Sequence, residues 1–324
     1  MNWQDVIKKH PEANILQSPA YAKMNELLGV KTITTDFEGK GYALIIVRNA
    51  KRGRYLEIPC GPLIDWGNKA LLREVINIIV KIAKQENCGF VRIRPQLLAT
   101  ADNLNLLKSH GFKKSPMHLA AEHTVMIDLK KSEEELLASM RRQTRYEVRR
   151  ATKLGLKVKK SNSEAIFHEF HQTQVETAKR QHFIPPDAKT LLAEREAFKD
   201  NAEIYIATTA EDEAIAYGLI IKDGVEGDYY EAASTELNRK LPGAYALLWQ
   251  VIKDLKADGY ERFNLWGIAP AGQPHHRYAK VTTFKTGFGG EIVEYVPAHD
   301  LVISKTKYLR NLIVEKARKK KRHL

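Results

Sequence analysis

G-Y-A-L-I-I-V at Gly41–Val47 returns as A-Y-G-L-I-I-K at Ala216–Lys222, 175 positions further on. Downstream, I-A-K-Q-E-N-C-G-F-V-R-I at Ile82–Ile93 aligns with D-L-K-A-D-G-Y-E-R-F-N-L at Asp254–Leu265, an offset of 172. Short apolar runs bounded by Gly and Pro read as buried strands, and longer runs of apolar period 3.6 read as helices. In both halves the order is strand, strand, long helix, strand. Two copies are too few for a solenoid, so the pattern is a duplicated α/β unit.

Outward from the first copy, a helix is predicted from Gln17-Ser18-Pro19 over residues 21–28, closed by Gly29. Strands are predicted at 43–47 and 55–59, and a helix over 69–86 with Leu72, Val75, Ile76, Ile79, Val80 and Ala83 on one face. A strand at 90–93, a helix at 104–109 and a strand at 123–129 follow. Ser132, three residues before Glu135, makes a capping box, and one helix is expected from there to Gly155. Helices near 163–180 and 187–198, strands at 203–208, 214–221 and 228–232, and a helix from Pro242 to Gly259 complete the second copy.

The composition bounds the class. A chain of 324 residues with 44% apolar and 28% charged residues has material for two domains or one large one, as expected of an ordinary soluble protein. No apolar run approaches the ~20 residues that span a bilayer. The opening M-N-W-Q-D-V-I-K-K-H lacks a charged-then-apolar leader pattern, so none is expected. Two cysteines, Cys60 and Cys88, make no disulfide framework, which fits a reducing cytoplasm.

Net charge is +13, and six of the last nine residues are Lys or Arg, leaving +7 for the rest. By itself that tail reads as a disordered, solubilising end. Residues 140–160 hold nine Lys or Arg against one acid, Glu147. Arg141, Arg145, Arg149 and Lys153 fall four apart and form one stripe along a helix. Such clusters suit nucleic acid, anionic lipid or phosphorylated substrates alike.

Several chemistries are excluded by pattern. There is no G-x-x-x-x-G-K-[ST], no strand-linked G-x-G-x-x-G and no G-x-S-x-G. His168 with His171, and His275 with His276, lack partner ligands at metal spacing, so no metal site is expected. Cys60 has no assignable base. Asn238-Arg239-Lys240-Leu241-Pro242-Gly243 puts basic residues at a helix start, where backbone N–H groups and the helix dipole favour an anion. A plain Pro-initiated helix explains the same residues.

The chemistry-bearing stretch is Arg262–Tyr295, R-F-N-L-W-G-I-A-P-A-G-Q-P-H-H-R-Y-A-K-V-T-T-F-K-T-G-F-G-G-E-I-V-E-Y. It reads as a short buried strand, a broken loop, a helical segment through Tyr278, Val281 and Phe284, and a Gly-rich turn into a strand at 292–295. Lys285 puts a cation beside aromatics and glycines.

T-V-M-I-D-L-K-K-S-E-E-E-L-L-A-S-M-R-R-Q-T-R-Y-E-V-R-R-A-T-K-L-G-L, Y-Y-E-A-A-S, K-L-P-G-A-Y-A-L-L-W-Q-V-I-K-D-L-K-A-D-G-Y, L-W-G-I and F-K-T-G-F-G-G-E occur in that order. Across 17–300 the chain thereby resembles the Fem family, aminoacyltransferases that build peptidoglycan bridges from aminoacyl-tRNA. The resemblance implies an α/β (α+β) fold of two GNAT-like domains, each a mixed central sheet flanked by helices. It implies a first domain over 1–122, onto which 292–324 packs back, and a second over 123–291. Only about forty residues separate Gly155 from the 203 strand, so the long helical arm of some members is not expected.

The resemblance also assigns residues. Phe284 and Lys285 match the family's transfer-site F-K, and Tyr230 its substrate-lining tyrosine. Arg180 and Lys23 resemble the pair that contacts precursor phosphates. Two departures stand out: Tyr21 where the family has Trp, and Q-H-F-I-P-P after Arg180 without a nearby tyrosine. Lys285 would stabilise the oxyanion formed when a stem-peptide amine attacks the aminoacyl ester. Arg141, Arg145, Arg149, Arg239 and Lys240 are the expected contacts to tRNA or another anion. Expected partners are aminoacyl-tRNA as co-substrate, with no further cofactor, and UDP-MurNAc-pentapeptide or lipid II, for a monomer in the cytoplasm or against an anionic membrane. An acyl-CoA-dependent N-acyltransferase and a non-enzymatic RNA-binding protein are the alternatives.

Overall fold

The computed structural model describes residues 2–322 apart from 51–52, 182, 274–275 and 277. The chain forms two compact units, Met1–His123 with Ala269–Arg277 and Val293–Leu324, and Thr124–Ile268 with Tyr278–Ile292.

In chain order the first unit begins with α1 (Trp3–Lys9), α2 (Pro19–Leu27), β1 (Thr32–Asp36), β2 (Gly41–Ala50), β3 (Gly53–Pro59), β4 (Leu63–Ile64), α3 (Lys69–Gln85), β5 (Phe90–Arg94), α4 (Ala101–Ser109) and β6 (Lys113–Lys114). The second unit has β7 (His123–Asp128), α5 (Glu133–Ser139), α6 (Arg142–Lys153), β8 (Lys157–Ser161), α7 (Glu164–Gln181), α8 (Ala188–Phe198), β9 (Ala202–Thr208), β10 (Ala214–Asp223), β11 (Glu226–Ser234), α9 (Gly243–Ala257), β12 (Arg262–Gly267), α10 (Ala279–Thr286) and β13 (Glu291–Glu294). The chain then returns to the first unit as β14 (His299–Val302) and α11 (Lys305–Arg322).

Among the described residues the first sheet runs β1-β2-β3-β5-β14-β6, with β4 paired to β2, and the second β8-β9-β10-β11-β12-β7-β13. Matching β1-β2-β3-β5-β14 to β9-β10-β11-β12-β7 gives the same senses: antiparallel, antiparallel, parallel, antiparallel. The repeated heptapeptides are β2 and β10, so the duplication read in the sequence is the architecture. The fifth places are exchanged along the chain. β7, which follows the first copy, completes the second sheet, and β14, which follows the second copy, completes the first.

Each sheet is covered by the helix crossing between its parallel strands, as period 3.6 demands. Leu72, Val75 and Ile79 of α3 meet Ile45, Leu56 and Val91, while Leu248, Val251 and Leu255 of α9 meet Ile220, Phe263 and Leu265. Each such fully buried side chain contributes about 1.5–3 kcal/mol of transfer free energy. Gly227 is required in β11 because a Cβ there would stand 2.6 Å from Leu255 of α9.

Two readings need correction, and the expected absence of a long arm is not one of them. The helix expected from Ser132 to Gly155 is two helices, α5 and α6, with Met140 in extended backbone (φ −67°, ψ 148°) between them. A turn of glycines occupies the break: the Arg141 N–H donates to the Gly287 carbonyl at 2.9 Å, and a Cβ on Gly289 would lie 2.5 Å from Ser139 Oγ. The basic tail is not irregular chain but helix through Arg322. The segment between Gly155 and Ala202 holds α7 and α8, of 18 and 11 residues, with no extended arm among the described residues.

β14 and α11 are tied to β5 by a buried ionic triad. Arg92 grips Asp300 with two bonds (2.7 and 3.0 Å) and Glu315 with two more (3.1 and 2.8 Å), while the Tyr308 hydroxyl donates to Asp300 at 3.2 Å. Arg92 and Asp300 are 3% and 0% exposed. Burial holds the Asp300 carboxyl above its usual range despite Arg92, so desolvation outweighs the pairing. Removing one partner is worse, because it leaves an uncompensated buried charge. Asp300→Ala is therefore expected to lower stability by about 3–5 kcal/mol, read as a shift of the denaturant midpoint.

Candidate active site

The second sheet is open where the first is closed. In the first, the parallel pair β3–β5 stays in register through Pro59↔Arg94, the last residue of each strand. In the second, β11 and β12 pair only at Glu226↔Arg262, Gly227↔Phe263 and Asp228↔Asn264, yet run on to Ser234 and Gly267. Beyond Asp228 and Asn264 the two strands part.

Each lip of that gap carries a β-bulge, a device that re-aims side chains beside functional sites. On β11 the register with β10 skips Tyr230, and on β12 Leu265 and Trp266 oppose the single residue Val125 of β7. Trp266 takes φ +61°, a left-handed backbone that costs a bulky residue of order 1–3 kcal/mol. The bulged residues meet across the gap, the Tyr230 and Trp266 rings lying 5.3 Å apart at 67°.

Backbone groups that a strand partner would satisfy are taken up by side chains. The Trp266 N–H donates to Asn264 Oδ1 at 2.9 Å, and Thr124 Oγ1 donates to the Trp266 carbonyl at 3.1 Å. The Gly267 carbonyl accepts from Lys285 Nζ at 2.9 Å. Nζ also lies 5.8 Å from the centroid of the Tyr229 ring. The Lys285 side chain is partly exposed, but its ammonium end is stripped of water, and desolvation lowers its pKa to about 7.

The sequence explains how Lys285 is aimed. Tyr278 caps α10 and packs so tightly on Gly267 that a Cβ there would stand 2.8 Å from the ring. Phe284 turns to α9 and packs edge-on to Tyr245 and Phe288 at 5.0 and 5.3 Å, anchoring the helix that presents Lys285. Arg141 donates to the Thr283 carbonyl, fixing the same helix from α6.

The other expected residues are dispersed. Tyr230 stands on the gap. Arg180, on α7, donates to the Ser234 carbonyl at the end of β11 and pairs with Glu236 at 3.0 Å. Arg145 binds the Ala138 and Met140 carbonyls at the end of α5; of the stripe, Arg141, Arg149 and Lys153 are exposed, and Arg141 and Arg145 serve backbone oxygens. Arg239 and Lys240 are exposed before α9; Arg239 pairs with Glu236 at 3.1 Å. The Ala244 N–H at that helix start is taken by Asn238 Oδ1 at 3.0 Å. Lys23 lies in the first unit, exposed on α2. A groove of about 520 Å³ in that unit, lined by Pro62, Trp66, Gln96 and Leu97 among others, contains none of the expected residues.

Of the histidines, His168 faces Glu164 at 3.7 Å, His171 contacts the Pro186 carbonyl and His276 lies edge-on to His118; His275 lies outside the described residues. Cys60 is buried and accepts from Arg94. Sequence reasoning passed over Glu231 and Glu194, a half-buried and a buried acid whose charges interact behind the β11 lip. Glu231 stands inside the quoted Y-Y-E-A-A-S, whereas nothing in α8 distinguishes Glu194.

The profile of the FemAB family matches residues 2–215 and 187–316. The lipid II:glycine glycyltransferase of Staphylococcus haemolyticus (strain JCSC1435) is 28% identical over 196 residues, 56% of this chain and 46% of that protein. The chain thus spans about half the length of the curated relatives it matches. The crystal structure of FemX superposes with a TM-score of 0.84 at 18% identity, over 96% of this chain and 97% of that one. A tandem GNAT protein from the clavulanic acid biosynthesis pathway superposes at 0.51 and 10% identity, over 82% and 79%, in keeping with two GNAT-like units. On the extent of the profile match, the chain belongs to the FemAB family.

Proposed function

We propose that this chain is an aminoacyltransferase that moves an amino acid from aminoacyl-tRNA to an amine of the stem peptide of a peptidoglycan precursor, UDP-MurNAc-pentapeptide or lipid II. The observation that carries the reading is the desolvated Lys285 ammonium at the open end of the β11–β12 ladder. Family membership supports it, as does the action on lipid II named for the glycyltransferase relatives.

In this reading the peptide amine attacks the ester carbonyl, a C–N bond forms, and negative charge gathers on the carbonyl oxygen. Lys285 meets that oxygen with a positive charge held in low dielectric, where it is worth far more than in water. As the oxyanion develops it favours the charged lysine. The tetrahedral centre then collapses, and the ester oxygen leaves as the ribose hydroxyl of tRNA. Arg180 is proposed to hold a phosphate of the precursor, which positions the amine without entering the chemistry. The exposed cations Arg149, Arg239 and Lys240 are the proposed electrostatic contacts for tRNA, and attraction to an anionic membrane face would follow from the same charge.

Purified protein with UDP-MurNAc-pentapeptide or lipid II and charged tRNA is expected to yield extended precursor, and RNase treatment of the tRNA is expected to stop it. Product made from acyl-CoA and indifferent to RNase would overturn the proposal. Lys285→Met is expected to lower transfer by about 10²–10³-fold while circular dichroism stays native.

The depressed lysine makes two further expectations. If the ammonium form is the active one, kcat/KM falls as pH rises through about 7, the ionisation of the free enzyme. Between pH 7 and the ordinary lysine range the unfolded chain binds more protons than the folded one, so wild-type stability rises with pH there. The Met variant lacks that rise. It is therefore expected to exceed wild type in stability most below pH 7, with the gap closing toward pH 10 in denaturant titrations.

A further inference from the structure

Behind the β11 lip, the half-buried Glu231 and the buried Glu194 and Gln174 form a cluster with more acceptors than donors. Gln174 and Glu194 are 3% and 2% exposed. The Gln174 amide donates to Glu231 Oε2 at 2.7 Å, which leaves Gln174 Oε1 buried without a partner. Glu194 Oε2 is likewise buried without a partner. Burial and the neighbouring carboxyl both disfavour a second negative charge here.

The bulge explains why an acid stands here. Without the extra residue at Tyr230, strand alternation would put residue 231 on the same face as Tyr229, which contacts Leu247 of α9 by way of Gly218. With it, Glu231 turns to the α7 face, opposite Leu219, and its own strand edge borders the gap that β12 has left. The residue that flips the alternation is also the one whose ring touches Trp266 across that gap.

Resting on the function proposed above, we propose that Glu231 is the proton acceptor for the attacking amine, with Gln174 as its positioning residue and Glu194 as its neighbouring carboxyl. The substrate class is a primary amine arriving as its ammonium ion at the α7 side of the gap. The ammonium gives one proton to the Glu231 carboxylate, and its freed electron pair forms the C–N bond. As the ester C–O bond breaks, the proton held by Glu231 passes to the leaving ribose oxygen, which becomes a hydroxyl, and the carboxylate is restored. The second proton lost by nitrogen passes to water, so the amide, the free tRNA and one proton are the products.

The charge around the pair is consistent with that role. Burial raises Glu231 to about 7, and burial with the Glu231 charge raises Glu194 well above the usual carboxylate range. The Gln174 hydrogen bond acts the other way on Glu231. Three charged groups of the surrounding elements are engaged elsewhere: Glu169 of α7 with the Tyr217 hydroxyl of β10, Arg180 with Ser234 and Glu236, and Arg195 of α8 with Asn162 and Glu164. Lower on β11, Glu226 is bound by Arg262 at 2.6 Å, and Asp228 is fully buried beside Glu226. A base that titrates near 7 is matched to proton transfer at neutral pH.

The test compares wild type, Glu231→Gln, Glu231→Ala and Gln174→Met in tRNA-dependent transfer to UDP-MurNAc-pentapeptide across pH, with thermal unfolding as the check on folding. Glu231→Gln is expected to lower kcat by about 10²–10⁴-fold with KM changed less than threefold. Glu231→Ala is expected to regain rate on addition of formate. Gln174→Met removes a bond that favours the carboxylate, so the acid limb of kcat/KM is expected to move to higher pH. The substrate amine's own ionisation cannot follow that substitution. A folded Glu231→Gln protein with near-normal kcat, or an acid limb that stays fixed in Gln174→Met, overturns the proposal even if Lys285→Met behaves as expected. Absence of transfer in wild type removes the parent reading and this one with it.

Discussion

Every backbone N–H and C=O taken out of water must find a partner, and the parting of β11 from β12 breaks that condition along two facing edges. The second unit answers with side chains: Asn264 and Thr124 on Trp266, Lys285 on Gly267. The lysine that carries the proposed chemistry is thus also a structural substitute for a missing strand partner. That dual duty accounts for its setting. Serving a backbone carbonyl draws the ammonium out of water, and losing water is what lowers its pKa.

The two copies show how a duplicated sheet diverges. Both keep the strand senses and the crossing helix, because those follow from apolar period and right-handed crossover geometry. They differ at the ends of the parallel pair. In the first copy β3 and β5 remain joined to Pro59 and Arg94, and the Gln17 amide additionally bridges the Leu44 and Pro59 carbonyls, so the edge groups are used up. In the second, bulges at Tyr230 and Trp266 hold the lips apart and bring acids and a lysine to opposite sides of one opening.

Much of this was legible in the residues. Alternation and period 3.6 located β2, β10, α3 and α9, because those elements bury one continuous apolar face. The F-K-T-G-F-G-G motif pointed to Lys285 through family resemblance. What was hidden depends on contacts distant in sequence. The break at Met140 lies inside an excellent helical pattern and exists because the Gly287–Gly290 turn fills the space. The strand β14, His299-Asp300-Leu301-Val302, looks too short and too polar to be central, yet its Asp300 is neutralised by Arg92 more than two hundred residues earlier. Glu194 resembles any charged helix residue until the β11 bulge turns Glu231 toward it.

The exchange of fifth strands sets an order on events during synthesis. A ribosome releases β1 to β6 first, but the sheet they form keeps an unfilled slot beside β5 until β14 emerges, some two hundred residues later. Meanwhile β7 is already available to the second sheet, whose other strands follow it directly. The N-terminal half, made first, is therefore the last to become complete, and during that interval its exposed strand edge is the part of the nascent chain most in need of shielding.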